Sequence, residues 1–143
     1  MVISPQKFRE IVFQLIYSDD FGGGADVVEM LMAQLAVTKR IVRDGIAFKE
    51  KFTEKKSAID ALIETHATAY EFDRIPRIER NVLRLGAYEL LFSPEVPPKV
   101  VIAEAIRLAR KFATPEASTF VNAILDSIYK EKQNVATVSG QSV

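Results

Sequence analysis

With a single histidine and no cysteine, this 143-residue chain has few groups that can do covalent chemistry. Without thiols there is no disulfide framework, thiolate nucleophile or Cys/His metal cluster, so a metal could be held only by carboxylates. His66 sits in an Ala- and Thr-rich stretch with no neighbouring pattern of a nucleophilic triad, which points to a structural or solvent-facing imidazole. Glu79, Glu104, Glu116 and Asp126 could supply acid or base groups, but their spacing pairs none of them. Gly22-Gly23-Gly24 lacks the Lys-Ser or Lys-Thr that completes a phosphate loop and reads as a turn. The expectation is a protein that is not an enzyme and holds no cofactor or metal.

Binding chemistry is better represented. Nineteen basic side chains balance nineteen acidic ones, so only a local patch could attract a polyanion. Residues 1–74 carry 10 basic and 12 acidic groups, and residues 75–143 carry 9 and 7. Within 76–112, Arg77, Arg80, Arg84, Lys99, Arg107, Arg110 and Lys111 outnumber Glu79, Glu89, Glu95 and Glu104, which makes that stretch the best phosphate-contact candidate. Lys7 and Arg9 flank Phe8, and Tyr17 follows ten residues after Lys7, about 15 Å along a helix. Cations could then hold a backbone while Tyr17 or Phe120 stacks a base, at roughly 1–3 kcal/mol per base. The competing readings are a solvated charged face with both rings in the core, or a helical module that binds only protein.

These groups need a scaffold, and the chain reads as all-α. Apolar residues recur at spacings of three and four nearly throughout, and alternating strand patterns are missing. Ser4 and Pro5 open a first helix with Phe8, Val12, Leu15 and Ile16 on its stripe, ending at Asp19, Asp20 and the glycine run. A second helix is expected over about 26–36 and a third from Thr38 to Phe52, with a break at Thr53–Ser57 before a fourth carrying Ile59, Leu62, Ile63 and Ala67. Residues 71–76 form a connector ended by Pro76. A fifth helix buries Ile78, Val82, Leu85 and Tyr88; a sixth carries Val101, Ala105, Leu108 and Phe112. Thr114-Pro115-Glu116 starts a seventh with Phe120, Val121, Ile124, Leu125 and Ile128. Residues 1–132 are expected to form one domain of two packed helical subdomains, about 1–74 and 75–132, with 133–143 as a flexible tail. No signal-like or membrane-length apolar run is present, so the expected location is cytoplasmic.

Three segments together carry a family likeness: REIVFQLIY at 9–17, ERNVLRLGAYELLF at 79–92, and VPPKVVIAEAIRLARKFATPEASTFVNAILD at 96–126. In this order they closely resemble the bacterial transcription antitermination factors of the NusB (N-utilisation substance B) family, whereas 18–74 is similar only in length and helical character. The resemblance implies an all-helical, non-enzymatic RNA-binding adaptor of two helical subdomains. Such an adaptor joins NusE, a ribosomal small-subunit protein, to bind single-stranded boxA RNA. With other elongation factors it makes RNA polymerase resist termination on ribosomal RNA operons. Relatives include monomers and homodimers, and a related helical domain occurs in ribosomal RNA cytosine methyltransferases, whose catalytic fold this length cannot accommodate.

Carried over by position, Lys7 and Arg9 resemble the surviving part of an arginine-rich RNA segment, and Tyr17 its RNA-side tyrosine. Arg84 belongs to the basic stretch, and Phe120, Glu79 and Glu116 resemble positions on or beside the RNA and NusE surfaces. Two carboxylates cannot attract phosphate; they would accept hydrogen bonds from base edges or meet basic side chains of the partner. The chain departs from the family where Pro5 and Gln6 replace two arginines. Losing two phosphate contacts lowers the log–log salt slope by about 1.4 for a single strand. Ala103, Ala113 and Ala123 stand where the family usually has Asn, Gly and Gly.

Overall fold

The computed structural model of the chain describes residues 3–23 and 26–141, and side chains as far as residue 135. Gly24 of the glycine run and residues 142–143 of the expected tail lie outside the described residues. Among the described residues there are six α-helices and no strand: α1 Pro5–Asp20, α2 Val27–Leu35, α3 Lys39–His66, α4 Arg77–Phe92, α5 Pro98–Phe112 and α6 Pro115–Gln141. A single 3-10 turn, Phe72–Arg74, interrupts the connector before α4. No helix is long and apolar enough to cross a membrane.

The helix starts follow from local chemistry. The Lys7 amide donates to Ser4 Oγ at 3.2 Å and Pro5 takes the first turn of α1, where no amide hydrogen is needed. The same device opens α6, where the Ala117 amide donates to Thr114 Oγ1 at 3.0 Å. Gly22 and Gly23 end α1 at φ +96° and +71°, a region that side chains other than glycine's adopt at a cost.

Where the sequence predicts a break at Thr53–Ser57, α3 runs through without interruption. Lys55 and Lys56 are good helix formers, and the Thr53 hydroxyl is absorbed by the Lys49 carbonyl at 2.8 Å. The expected third and fourth helices are therefore one, giving six instead of seven. The α6 backbone likewise stays helical to Gln141, beyond the end of the apolar stripe near Lys132.

The chain divides into two compact units, Met1–Lys56 and Ser57–Val143, with the border inside α3 rather than at the 71–76 connector. In the first unit, Ile11 and Leu15 of α1, Leu31 of α2, and Val37, Ile41 and Val42 make one buried cluster. Gly45 lets α1 and α3 approach closely, since a Cβ there would lie 2.9 Å from Ile11 Cγ2.

In the second unit α4 is the central element: every residue from Arg80 to Leu90 is buried, and α5 and α6 pack on it and on each other. Gly86 does for α4 and α6 what Gly45 does in the first unit, with Leu125 Cδ1 only 2.7 Å from where a Cβ would stand. At the border of the unit's surface, Lys132 Nζ donates to the Leu90 carbonyl at 2.5 Å, satisfying a carbonyl in the last turn of α4.

Candidate functional site

In the first unit, Lys7, Arg9 and Tyr17 all lie on α1 and all are partly buried. At 3.6 residues per turn, Lys7 and Arg9 project about 160° apart, with Tyr17 about 80° from each around the axis. The two cations therefore straddle the line of Tyr17 rather than forming one patch. Tyr17 is the middle of a row of rings at successive turns. It stacks on Phe13 with centroids 5.9 Å apart and meets Phe21 edge-on at 4.8 Å, and Phe21 is 57% exposed. Phe8, between the cations, is edge-on to Phe48 at 6.2 Å. Lys7 and Arg9 thus lie on opposite sides of α1 around the line of Tyr17, which is itself a partly open ring.

In the second unit the predicted residues part company. Arg84 is not at the surface: it is 5% exposed, and its Nε and Nη2 donate to the two carboxylate oxygens of Asp60 at 2.8 and 3.0 Å. Its Nη1 donates to Asn81 Oδ1 at 3.0 Å, and the guanidinium lies 5.3 Å from the centroid of the Phe72 ring. A buried arginine needs this complete set of partners, because an unpaired charge there would cost several kcal/mol, of order 3–5. Arg84 thus ties α4 to the end of α3, and its charge is spent within the fold.

Glu79, Glu116 and Phe120, by contrast, line a single cavity of about 320 Å³ together with Tyr70, Arg74, Pro76, Thr114 and Ala117. It lies where the connector, the first turn of α4 and the first turns of α6 come together. Phe120 is partly buried and stands edge-to-face with Tyr70, centroids 5.5 Å apart at 86°. Burial pushes the Glu79 carboxyl above the ordinary carboxylate range, with a backbone hydrogen bond opposing it. Arg74, on the rim, is highly exposed and 3.7 Å from Glu71. The cavity joins two rings to two carboxylates, one of them short of solvation.

Tyr70 and Arg74 are the members that sequence patterns do not reveal, since a connector has no periodicity from which to read a face. Tyr70 does leave a faint trace, as a large ring in a polar segment that no apolar stripe claims. His66 is also less isolated than its surroundings in sequence imply: Nδ1 is 2.7 Å from Ser127 Oγ and Nε2 is 2.5 Å from Glu131 Oε2. Ser127 lies in the middle of α6, where backbone amides are committed to the helix and cannot form an oxyanion hole, so the row tethers α3 to α6. Among the described residues, no three His, Asp or Glu side chains are grouped to hold a metal.

Comparison with known proteins identifies the family and the fold. Residues 6–130 match the model of the NusB family. The transcription antitermination protein NusB of Chlamydia pneumoniae is 37% identical, covering 88% of this chain and 80% of the relative. The solved structure of T. maritima NusB is similar with a TM-score of 0.77 at 33% identity, covering 92% of this chain and 94% of that one. A chain in the crystal structure of antitermination factors NusB and NusE in complex with double-stranded RNA has a TM-score of 0.74 at 28% identity, covering 88% and 96%. Sequence and backbone agree over nearly the whole length, and the chain belongs to the NusB family.

Proposed function

We propose that this protein is an RNA-binding adaptor of transcription antitermination, without enzymatic activity, that acts in the cytoplasm. It pairs with NusE to bind boxA-type RNA and modifies elongating RNA polymerase on ribosomal RNA operons. The observation that carries this reading is the end-to-end likeness to NusB proteins, one of them solved with NusE and RNA. The two units supply different parts of it. Lys7 and Arg9 hold RNA phosphates on either side of Tyr17, whose ring offers a stacking face. Phosphates would be repelled by Glu79 and Glu116, so those carboxylates meet the protein partner, while Phe120 beside them offers RNA a second stacking ring. Arg84 has no part in RNA contact because its guanidinium is committed to Asp60.

RNA affinity of the protein alone is modest, since Pro5 and Gln6 occupy the first turn of α1 where further cations would sit. NusE then raises affinity by adding a second basic surface. Titration of boxA RNA with and without NusE at two salt concentrations tests this: tighter binding with NusE is expected, and equal affinity contradicts it. Binding of NusE with no RNA binding even at low salt would instead favour a purely protein-binding helical module, the reading that Pro5 and Gln6 themselves suggest.

A further inference from the structure

The first turns of α3 carry Lys39, Arg40 and Arg43, all of them exposed. At 3.6 residues per turn the three lie within about 100° of one another around the axis, so they share one face. Among the described residues, none of the three makes an ion pair or hydrogen bond through its side chain. The first turn of α3 has no acidic residue, and Asp44 stands at the edge of the face, about 40° beyond Arg40. Stability does not account for this arrangement. Cations at the start of a helix meet the positive end of its dipole and repel one another, so three of them there cost the fold a little.

Arg40 faces open space. With Asp44, Thr38, Ile41 and Ile3 it lines a cavity of about 460 Å³, and Ile3 leads directly into the first turn of α1, where Lys7 sits. The starts of α1 and α3 therefore open on one space within the first unit. Two guanidiniums beside an ammonium suit phosphate oxygens, which accept from the arginine fork two at a time whatever base they carry. An acidic protein segment could offer carboxylates to the same cations, but the space shared with α1, the helix of Lys7 and Tyr17, favours the nucleic acid.

We infer that Lys39, Arg40 and Arg43 form a second, sequence-independent RNA contact, which holds phosphates of the strand beyond those at Lys7. This rests on the adaptor reading for RNA as the ligand, but adds three residues and a path that the reading alone does not. It also puts cations at the start of α3 in a chain whose α1 begins with Pro5 and Gln6. The boxA element by itself stays modestly held, and the strand running on from it is gripped. Affinity therefore depends on RNA length.

The test uses the full chain with boxA RNA, the same RNA flanked by uridine runs, and uridine runs alone, each titrated at several salt concentrations. The flanks should tighten binding to the natural protein and not to Lys39→Gln/Arg40→Gln/Arg43→Gln. For flanked RNA that variant should lose about 2 from the log–log salt slope, at about 0.7 per phosphate contact, and bind about tenfold or more weakly near 0.1 M salt. Its melting temperature should be unchanged or slightly higher, whereas loss of residues that hold the fold would lower it. Arg40→Lys/Arg43→Lys keeps the charge and should keep most of the slope, and Asp44→Asn should tighten flanked RNA. If the flanks add nothing, or the triple variant binds flanked RNA as the natural protein does, the inference is overturned, while a slope flattened by Lys7→Gln/Arg9→Gln leaves the adaptor reading standing. Weaker NusE binding with RNA binding intact would also overturn it and give the patch to an acidic protein surface. Conversely, flank-dependent binding through these cations, with no preference for boxA and no NusE binding, would sustain the inference and sink the adaptor reading.

Discussion

The face of α1 and the cavity of the second unit are both built on aromatic rings, yet the charges around those rings are opposite. Tyr17 shares α1 with Lys7 and Arg9, while Tyr70 and Phe120 line one cavity with Glu79 and Glu116. The rings give each site area and stacking capacity, and the neighbouring charge decides what may approach: phosphates at the first, a basic protein group at the second. A net charge of zero conceals this division, because equal totals say nothing about placement. Arg84 adds a further lesson. It has the same side chain as a phosphate-binding arginine, but its position on the central helix commits it to Asp60.

The contrast can be broken most forcefully at Arg84. Replacing it with Ala leaves Asp60 without its partner and should lower stability by about 3–5 kcal/mol, read from denaturant melts, while RNA affinity per folded molecule stays the same. A stable Arg84→Ala protein with weakened RNA binding would return this residue to the RNA surface. Next in size, Tyr17→Ala should cost roughly 1–3 kcal/mol of RNA binding. If melting temperature falls and RNA affinity does not, the ring serves only the Phe13–Tyr17–Phe21 row. Lys7→Gln and Arg9→Gln should each flatten the log–log salt slope by about 0.7 and weaken all RNA sequences alike.

The smallest effect is expected at Glu79. Its folded-state pKa lies above the unfolded one, so the folded form binds more protons, and its contribution is present in acid and lost as pH rises through the folded value. Glu79→Gln should therefore melt slightly higher than the natural protein near neutral pH, with the gain fading in acid. A variant that melts lower at neutral pH would mean that Glu79 already has a cationic partner within the fold.

Much of the scaffold is legible from residue types because helix starts and apolar stripes are local. Ser4-Pro5 and Thr114-Pro115 cap as their chemistry requires, and Val82, Leu85, Leu108 and Leu125 are buried as their spacing predicts. The continuity of α3 is harder to read, since lysines at 55 and 56 neither break a helix nor declare one. The cavity is harder still. Glu79, Glu116 and Phe120 can be picked out by family likeness, but their meeting with Tyr70 depends on how the connector folds back, which no periodic signal encodes. The burial of Arg84 is equally silent, because its partner Asp60 lies on another helix and an arginine in sequence looks the same whether paired or free.

One measurement bears most directly on the division of labour: affinities for boxA RNA alone and for NusE alone, in a Lys7→Gln/Arg9→Gln/Tyr17→Ala variant and in a Glu79→Gln/Glu116→Gln variant. The first should lose RNA and keep NusE, and the second should lose NusE and keep RNA. If the second variant changes RNA binding and leaves NusE binding untouched, the acidic cavity faces the nucleic acid and the assignment of the two sites is wrong.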